Sequence, residues 1–270
     1  MTKEKKNIVW AAAVSVLLSA VFLGAEYIGL KIGLFGSGMQ KILVDSAFRL
    51  VFGCIAMGLL AHFSGGSVKE LFTNRIPRVI WLLMIPIYVY FLSYLLGFGM
   101  AEEVSLKGLP IFAAVVLDQI MTGWWEESAN RGLIMEPFRK HYGERKMRVI
   151  AVVLSGVIFG LTHIFNAAFF GGSILDGCYT AFCTGMWGMF IAAIYMVSDN
   201  LLLVMAIHAV WDIWVRIPGN FFTYSETTTT LAEAGEVLRT VIDPFLLGVL
   251  AIVIALKFGE KTEKTVPEVR

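Results

Sequence analysis

Charge is what this chain has least of. Only 16% of its 270 residues are Asp, Glu, Lys or Arg, while 57% are hydrophobic and the mean hydropathy is +0.74. A soluble domain carries about 25% charged residues, so an ordinary soluble fold is excluded. Cysteine is scarce as well. Cys54, Cys178 and Cys183 form no CxxC pair, which argues against a disulfide framework or a zinc finger and leaves them as packing residues. No HExxH spacing occurs, no internal repeat is visible, and low complexity is confined to Thr227 to Thr230. With a net charge of +1 and no basic motif, nucleic-acid binding has no support.

What the chain has instead is long apolar runs. A helix of about 20 residues crosses the hydrocarbon core of a bilayer. Runs of that kind cover approximately residues 8–30, 42–63, 79–99, 109–135, 149–166, 178–197, 200–217 and 240–258. The expected fold is therefore all-α: a polytopic membrane protein of about eight transmembrane helices, forming one domain over 1–270. The fifth and seventh runs are the shortest. The first imitates a signal peptide in its lysine-rich start and small residues near Ala20 to Ala25, but its apolar run exceeds the ~7 to 15 residues of a signal core and reads as a span. The polar stretch from Pro218 to Arg239 reads as the longest loop, with a short helix expected in Leu231 to Arg239.

Lysine and arginine in short loops stay on the cytoplasmic side. With the N-terminus inside, 16 of them fall on that side, including Lys3, Lys69, Arg75, Arg78, Arg131, the run Arg139 to Arg148, and Lys257, against five outside: Lys31, Lys41, Lys107, Arg216 and Arg239. Arg49 lies within a span. Both termini are thus expected in the cytoplasm of a cell whose plasma membrane holds the chain. The basic run Arg139 to Arg148 is accounted for by topology, with contact to anionic lipid as the lesser alternative.

Against this apolar background, a few ionisable groups sit inside spans, where each costs several kcal/mol unless paired or wetted, and such groups are functional candidates. Glu126 and Glu127 are adjacent; Glu127 and Arg131, four apart, share a helix face and can neutralise each other, which leaves Glu126 free to face a wet cavity as a general base. His208 and Asp212 are also four apart, so that the carboxyl is placed to orient an imidazole. At 1.5 Å of rise per residue from the cytoplasmic ends, Glu126, His163, His208 and Asp212 come out at depths of roughly 15, 22, 12 and 18 Å, close enough for one cavity. A carboxylate base with imidazoles nearby suits water addition to a peptide carbonyl. Asp118 and Thr122 fall near the same face as Glu126 and read as packing residues before cavity residues. Trp124 and Trp125 read as interface or packing aromatics, and His62, His141 and Glu26 are given no catalytic role. Singly, each polar residue has a structural explanation, an ion-pair cluster or a satisfied core histidine.

Taken in order, Glu126-Glu127-Ser-Ala-Asn-Arg131, Phe159-Gly-Leu-Thr-His163 and His208-Ala-Val-Trp-Asp212 resemble the EExxxR, FxxxH and HxxxN/D motifs of the CPBP family, which includes type II CAAX prenyl endopeptidases and bacteriocin-processing and self-immunity proteins. The motif-bearing core spans about 109–217. The resemblance implies an intramembrane endopeptidase with its site open to the cytoplasm, acting on a peptide or lipidated protein in the bilayer, with a prenylated CAAX-type C-terminus as one substrate class. It makes Glu126 the base for the attacking water, Glu127 and Arg131 supporting structure, His163 an aid to water or oxyanion, and His208 and Asp212 the rest of the pocket. An aspartate at 212 departs from the asparagine form of the motif, since an ionised carboxylate only accepts hydrogen bonds. Asp212 is then protonated, orients His208, or binds a metal. Glu126, His163 and His208 have the ligand types of a His2Glu zinc site, so a divalent metal stands beside glutamate-activated water as an alternative. The rival functions are a non-proteolytic partner-binding or immunity protein of the same fold and a proton-coupled transporter, the latter lacking the internal repeats typical of that class.

Overall fold

The computed structural model describes residues 3–64, 68–99, 104–106, 108–170, 173–224 and 243–258. Helices dominate: α1 (Lys3–Lys31), α2 (Gly38–Phe63), two short pieces α3 (Glu70–Thr73) and α4 (Val79–Leu83), then α5 (Ile85–Gly99), α6 (Leu109–Glu127), α7 (Arg145–Phe170), α8 (Ile174–Ser198), α9 (Leu201–Phe221) and α10 (Asp243–Lys257). A π-helical segment (Ser128–Leu133) and a 3-10 turn (Glu136–His141) follow α6. One small exception to the all-helical plan is an antiparallel pairing of β1 (Val104–Leu106) with β2 (Phe222–Tyr224), which ties the start of α6 to the end of α9. The expected short helix in 231–239 and the Thr227 to Thr230 tract lie outside the described residues.

Among the described residues, four stretches are long and apolar enough to cross a membrane: Lys6–Lys31, Gly38–Phe63, Arg145–Phe165 and Ile174–Ser198. The fifth apolar run, 149–166 and expected to be among the shortest, belongs to a 26-residue helix, α7, which begins at Arg145 and runs to Phe170. The fourth run was read as one helix to 135, yet α6 stops at Glu127 and widens into the π segment.

The core gathers around α8. Phe190 to Tyr195 are fully buried, and α7 and α10 lie against it. Glycines set the closeness of α7 to α8. A Cβ at Gly160 would collide with the carbonyl oxygen of Ala181, and one at Gly156 would come within 2.7 Å of the Gly185 carbonyl oxygen. Small residues at such crossings let helix backbones approach where lipid offers no hydrophobic drive. Replacing Gly160 by valine is expected to push the pair apart and to cost about 1–3 kcal/mol, seen as a lower unfolding temperature in detergent.

At the end of the bundle where α8 turns into α9, Asp199 takes a left-handed conformation (φ 47°) and closes α8. The turn is held by polar side chains: Arg139 Nε donates to Asp199 Oδ1 at 2.8 Å, Asn74 Nδ2 donates to the Asp199 carbonyl at 2.8 Å, and Asn200 Oδ1 accepts from Leu203 N at 2.9 Å to cap α9. Arg148 is fully buried and donates to the carbonyls of Tyr142, Gly143 and Ala255. Two arginines of the basic run are therefore internal pins as well as bearers of positive charge, a role that counting charges by loop does not reveal. The three cysteines are free thiols, with Cys54 and Cys178 exposed.

Candidate active site

The site is built where α6 gives way to the π segment. A π turn widens the helix and frees backbone carbonyls, which in an apolar interior need donors. Side chains supply them: Ser128 Oγ donates to Trp124 O at 2.6 Å, Asn130 Nδ2 to Glu126 O at 2.7 Å, Ser15 Oγ to Ala129 O at 2.9 Å and Ser155 Oγ to Asn130 O at 3.1 Å. The backbone around both glutamates is thereby fixed from α1 and α7 as well as from within.

Glu127 and Arg131 are both fully buried and face each other with Arg131 Nη1 3.0 Å from Glu127 Oε1, as their spacing predicts. Arg131 Nη2 also donates to the Gly188 carbonyl at 3.0 Å, and its guanidinium lies 4.7 Å from the Phe159 ring centroid. Gly188 is required here, because a Cβ would sit 2.8 Å from Phe159 and 3.3 Å from Arg131 Nη2. The first residue of the FxxxH motif thus serves as the floor for the arginine of the EExxxR motif.

Glu127 has a second task that the sequence reading did not assign to it. Its Oε1 lies 2.6 Å from His208 Nδ1, which donates to it. Orienting this imidazole was one of the three roles open to Asp212, but its carboxylate is 3.8 Å from Nε2, beyond hydrogen-bond range. The reason is geometric: the adjacent turn of α6 carries Glu127 directly to the buried edge of the ring, whereas Asp212 lies one turn further along α9, about a quarter exposed. Nδ1 being held, His208 presents Nε2 to Glu126, 3.6 Å from its Oε2. Three carboxylates surround this imidazole.

Glu126 keeps the exposure expected of it, its side chain being 24% accessible, and lines two cavities of about 340 and 500 Å3. His163 lines both as well. Its Nδ1 lies 2.8 Å from the Phe159 carbonyl, an acceptor only, so Nδ1 carries the proton and Nε2 the lone pair in the neutral ring. His208 and Asp212 line the larger cavity, with Thr122. The residues expected to meet, Glu126, Glu127, Arg131, His163, His208 and Asp212, do come together.

A wall of aromatics completes the larger cavity: Trp211 stacks at 4.0 Å on Tyr90 and at 4.1 Å on Trp187. Trp125 instead packs against Phe22 and Phe52, as a packing residue should. Glu26, given no role from sequence, lines the smaller cavity with Lys41. Arg49 was passed over inside its span, yet it lines both cavities and pairs with buried Asp118. Its signal was available, since an unpaired arginine in the middle of an apolar run calls for a partner. Both cavities run from Glu126 toward the end carrying Lys41, away from the Arg139 and Asp199 turn.

Among the described residues no three His, Cys, Asp or Glu side chains converge to hold a metal ion. Glu127 occupies Nδ1 of His208, and Glu126 and Asp212 stand at 3.6 and 3.8 Å from its Nε2. Among the described residues the set does not converge as a His2Glu metal site would.

A helical membrane protein with a carboxylate open to a cavity, and beside it an imidazole pinned by a buried ion pair, has the means for acid–base chemistry within the bilayer. Residues 108–214 match the family model described as Type II CAAX prenyl endopeptidase Rce1-like, in line with the resemblance that the three motifs carry. The match covers all three motifs and favours a protease over the binding-protein and transporter readings. Neither the curated proteins nor the solved structures hold a match to the chain.

Proposed function

We propose that the protein is an intramembrane endopeptidase that hydrolyses a peptide bond of a membrane-associated substrate, with prenylated CAAX-type C-termini as the leading substrate class. The observation that carries this reading is the pairing of accessible Glu126 with His208 Nε2 at 3.6 Å while Glu127 holds the other side of the ring. Glu126 takes a proton from water, and the resulting hydroxide adds to the peptide carbonyl. His208 serves in this reaction as an imidazolium, Nδ1 donating to Glu127 and Nε2 to the developing oxyanion, the position where fixed charge contributes most. His163 accepts a hydrogen bond from the attacking water at Nε2 and orients it, and Glu126 then gives the proton it took to the leaving amine. Asp212, 3.8 Å from Nε2, stands beside this cation and need not donate.

The test is cleavage of a fluorogenic farnesylated CAAX peptide by the detergent-solubilised protein and by His163→Ala. Wild type is expected to cut, and the variant to lose about a hundredfold or more in kcat. A folded wild type that cuts neither this peptide nor its unprenylated form contradicts the reading. Because the water is activated by glutamate, dialysis against a strong chelator is expected to leave the rate within about twofold, and restoration of lost activity by zinc would contradict that mechanism.

The chain is placed in the membrane as eight spans, α1, α2, α4 with α5, α6, α7, α8, α9 and α10, with both termini cytoplasmic as the lysine and arginine bias supports. On that placement the cavities occupy the outer half of the bilayer, and substrate reaches Glu126 from within the membrane; a cavity mouth facing the cytoplasm would need the reverse orientation. Labelling Lys41→Cys with an impermeant maleimide on intact cells distinguishes the two. Labelling from outside is expected, and labelling only after permeabilisation would overturn the orientation.

A further inference from the structure

Glu126 and His163 line two cavities of different character. The larger has the stacked rings of Tyr90, Trp211 and Trp187 along its wall, a surface that suits apolar side chains. The smaller lies against α1 and α2 and takes Ser19, Glu26, Lys41, Asn130 and Thr162 into its lining. Its volume of about 340 Å3 gives room for several waters, each of which occupies about 30 Å3. On α1 the polarity forms one file. Ser15, Ser19 and Glu26 fall at steps of four and seven, on a single helix face, over about 16 Å of rise. Ser15 closes the file at the inner end, its hydroxyl donating to the Ala129 carbonyl at 2.9 Å.

Asn130 points independently to a ligand in this space. It is buried and lines the smaller cavity, and its Nδ2 is spent on the Glu126 carbonyl at 2.7 Å, which fixes the orientation of the amide. Its Oδ1 is buried and has no hydrogen-bond partner among the described residues. A buried acceptor without a donor is destabilising, and a water held in an adjoining polar cavity is the ordinary remedy. Hydrolysis also consumes one water at every turnover. A substrate seated against the aromatic wall covers Glu126 from that side, so water needs a way in that the substrate does not fill.

We infer that the smaller cavity is the water supply of Glu126: a file of bound waters that ends at Asn130 Oδ1 and refills the site while substrate occupies the larger cavity. This rests on the peptidase reading above and adds to it a second entrance, reserved for water. The attacking water directs both its protons to Glu126 and His163, so the donor that Asn130 Oδ1 meets is the next water in the file. Asn130 is a positioning residue, holding that water through Oδ1 and the backbone of Glu126 through Nδ2.

The experiment uses two full-length variants, each with a single thiol. Cys54→Ala and Cys178→Ala remove the exposed thiols from both. The first keeps Cys183, which lines the larger cavity, and the second carries Cys183→Ala with Ser19→Cys, which places its thiol in the smaller. Each is treated with neutral hydroxyethyl methanethiosulfonate, with and without an uncleavable farnesylated peptide, and labelling is read by mass spectrometry. Peptide at about ten times its Kd is expected to slow labelling at Cys183 about tenfold and to leave labelling at position 19 within about twofold. Labelling at position 19 is expected to lower kcat for a cleavable farnesylated peptide about tenfold with KM unchanged. A reducing agent that removes the label is expected to restore the rate, which separates a blocked route from a damaged fold. The water route is overturned, while the peptidase reading stands, by a thiol at position 19 that does not react in the folded protein, that the peptide protects as well as it protects Cys183, or whose labelling leaves kcat unchanged. Full reactivity of Cys183 under bound peptide overturns the division of the two cavities. A folded, unlabelled protein that cuts no peptide overturns the peptidase reading and this inference together.

Discussion

Arg131→Met is expected to lower stability by about 3–5 kcal/mol, the largest loss for any single change near the site, because it strands the fully buried Glu127 carboxylate without its cation. The Gly188 carbonyl loses a donor and the Phe159 ring loses its charged partner in the same step. Thermal unfolding in detergent measures it. Replacing both members of the pair, Glu127→Leu with Arg131→Met, removes the stranded charge and is expected to recover much of the stability, as buried ion pairs exchanged for apolar residues often do. Activity is expected to stay lost in the double variant, since His208 Nδ1 no longer has the acceptor at 2.6 Å that fixes the orientation of the ring. Recovery of stability and activity together would show that Glu127 does nothing for His208.

Glu126→Gln is expected to reduce kcat by about 10^2 to 10^4, the range contributed by a positioned general base, with an unchanged unfolding temperature. The substitution keeps the size and the hydrogen-bonding reach of a side chain that is only partly buried, so the scaffold has no reason to yield. Glu127→Gln makes the contrast. It alters a fully buried carboxylate, and its effect is expected in stability first and in rate through His208. Two neighbouring glutamates with the same formal charge thus separate into one that reacts and one that holds.

Much of this separation was legible in the sequence. The four-residue step from Glu127 to Arg131 named the ion pair, the leftover Glu126 named the exposed carboxylate, and the apolar runs placed most helices to within a few residues. The handover from Asp212 to Glu127 as the partner of His208 was not legible, because spacing reports neighbours along one helix, while the 2.6 Å contact crosses from α6 to α9, 81 positions apart. The π segment was hidden for a related reason. Its freed carbonyls are met by Ser15 and Ser155 from other helices as well as by Ser128 and Asn130 within it, so the segment Ser128–Leu133 shows only half of what holds it. Arg49 was visible as an oddity in a span, but its partner Asp118 was read as packing, and only their meeting across α2 and α6 gives either a purpose.

The account stands or falls on whether Glu126 governs the breaking of a peptide bond. Wild type and Glu126→Gln, reconstituted side by side in liposomes with a prenylated-tail substrate and sampled by mass spectrometry, answer this directly. The expected result is one new C-terminus from wild type and intact substrate from a variant that unfolds at the same temperature. The same product at a comparable rate from both proteins would contradict it.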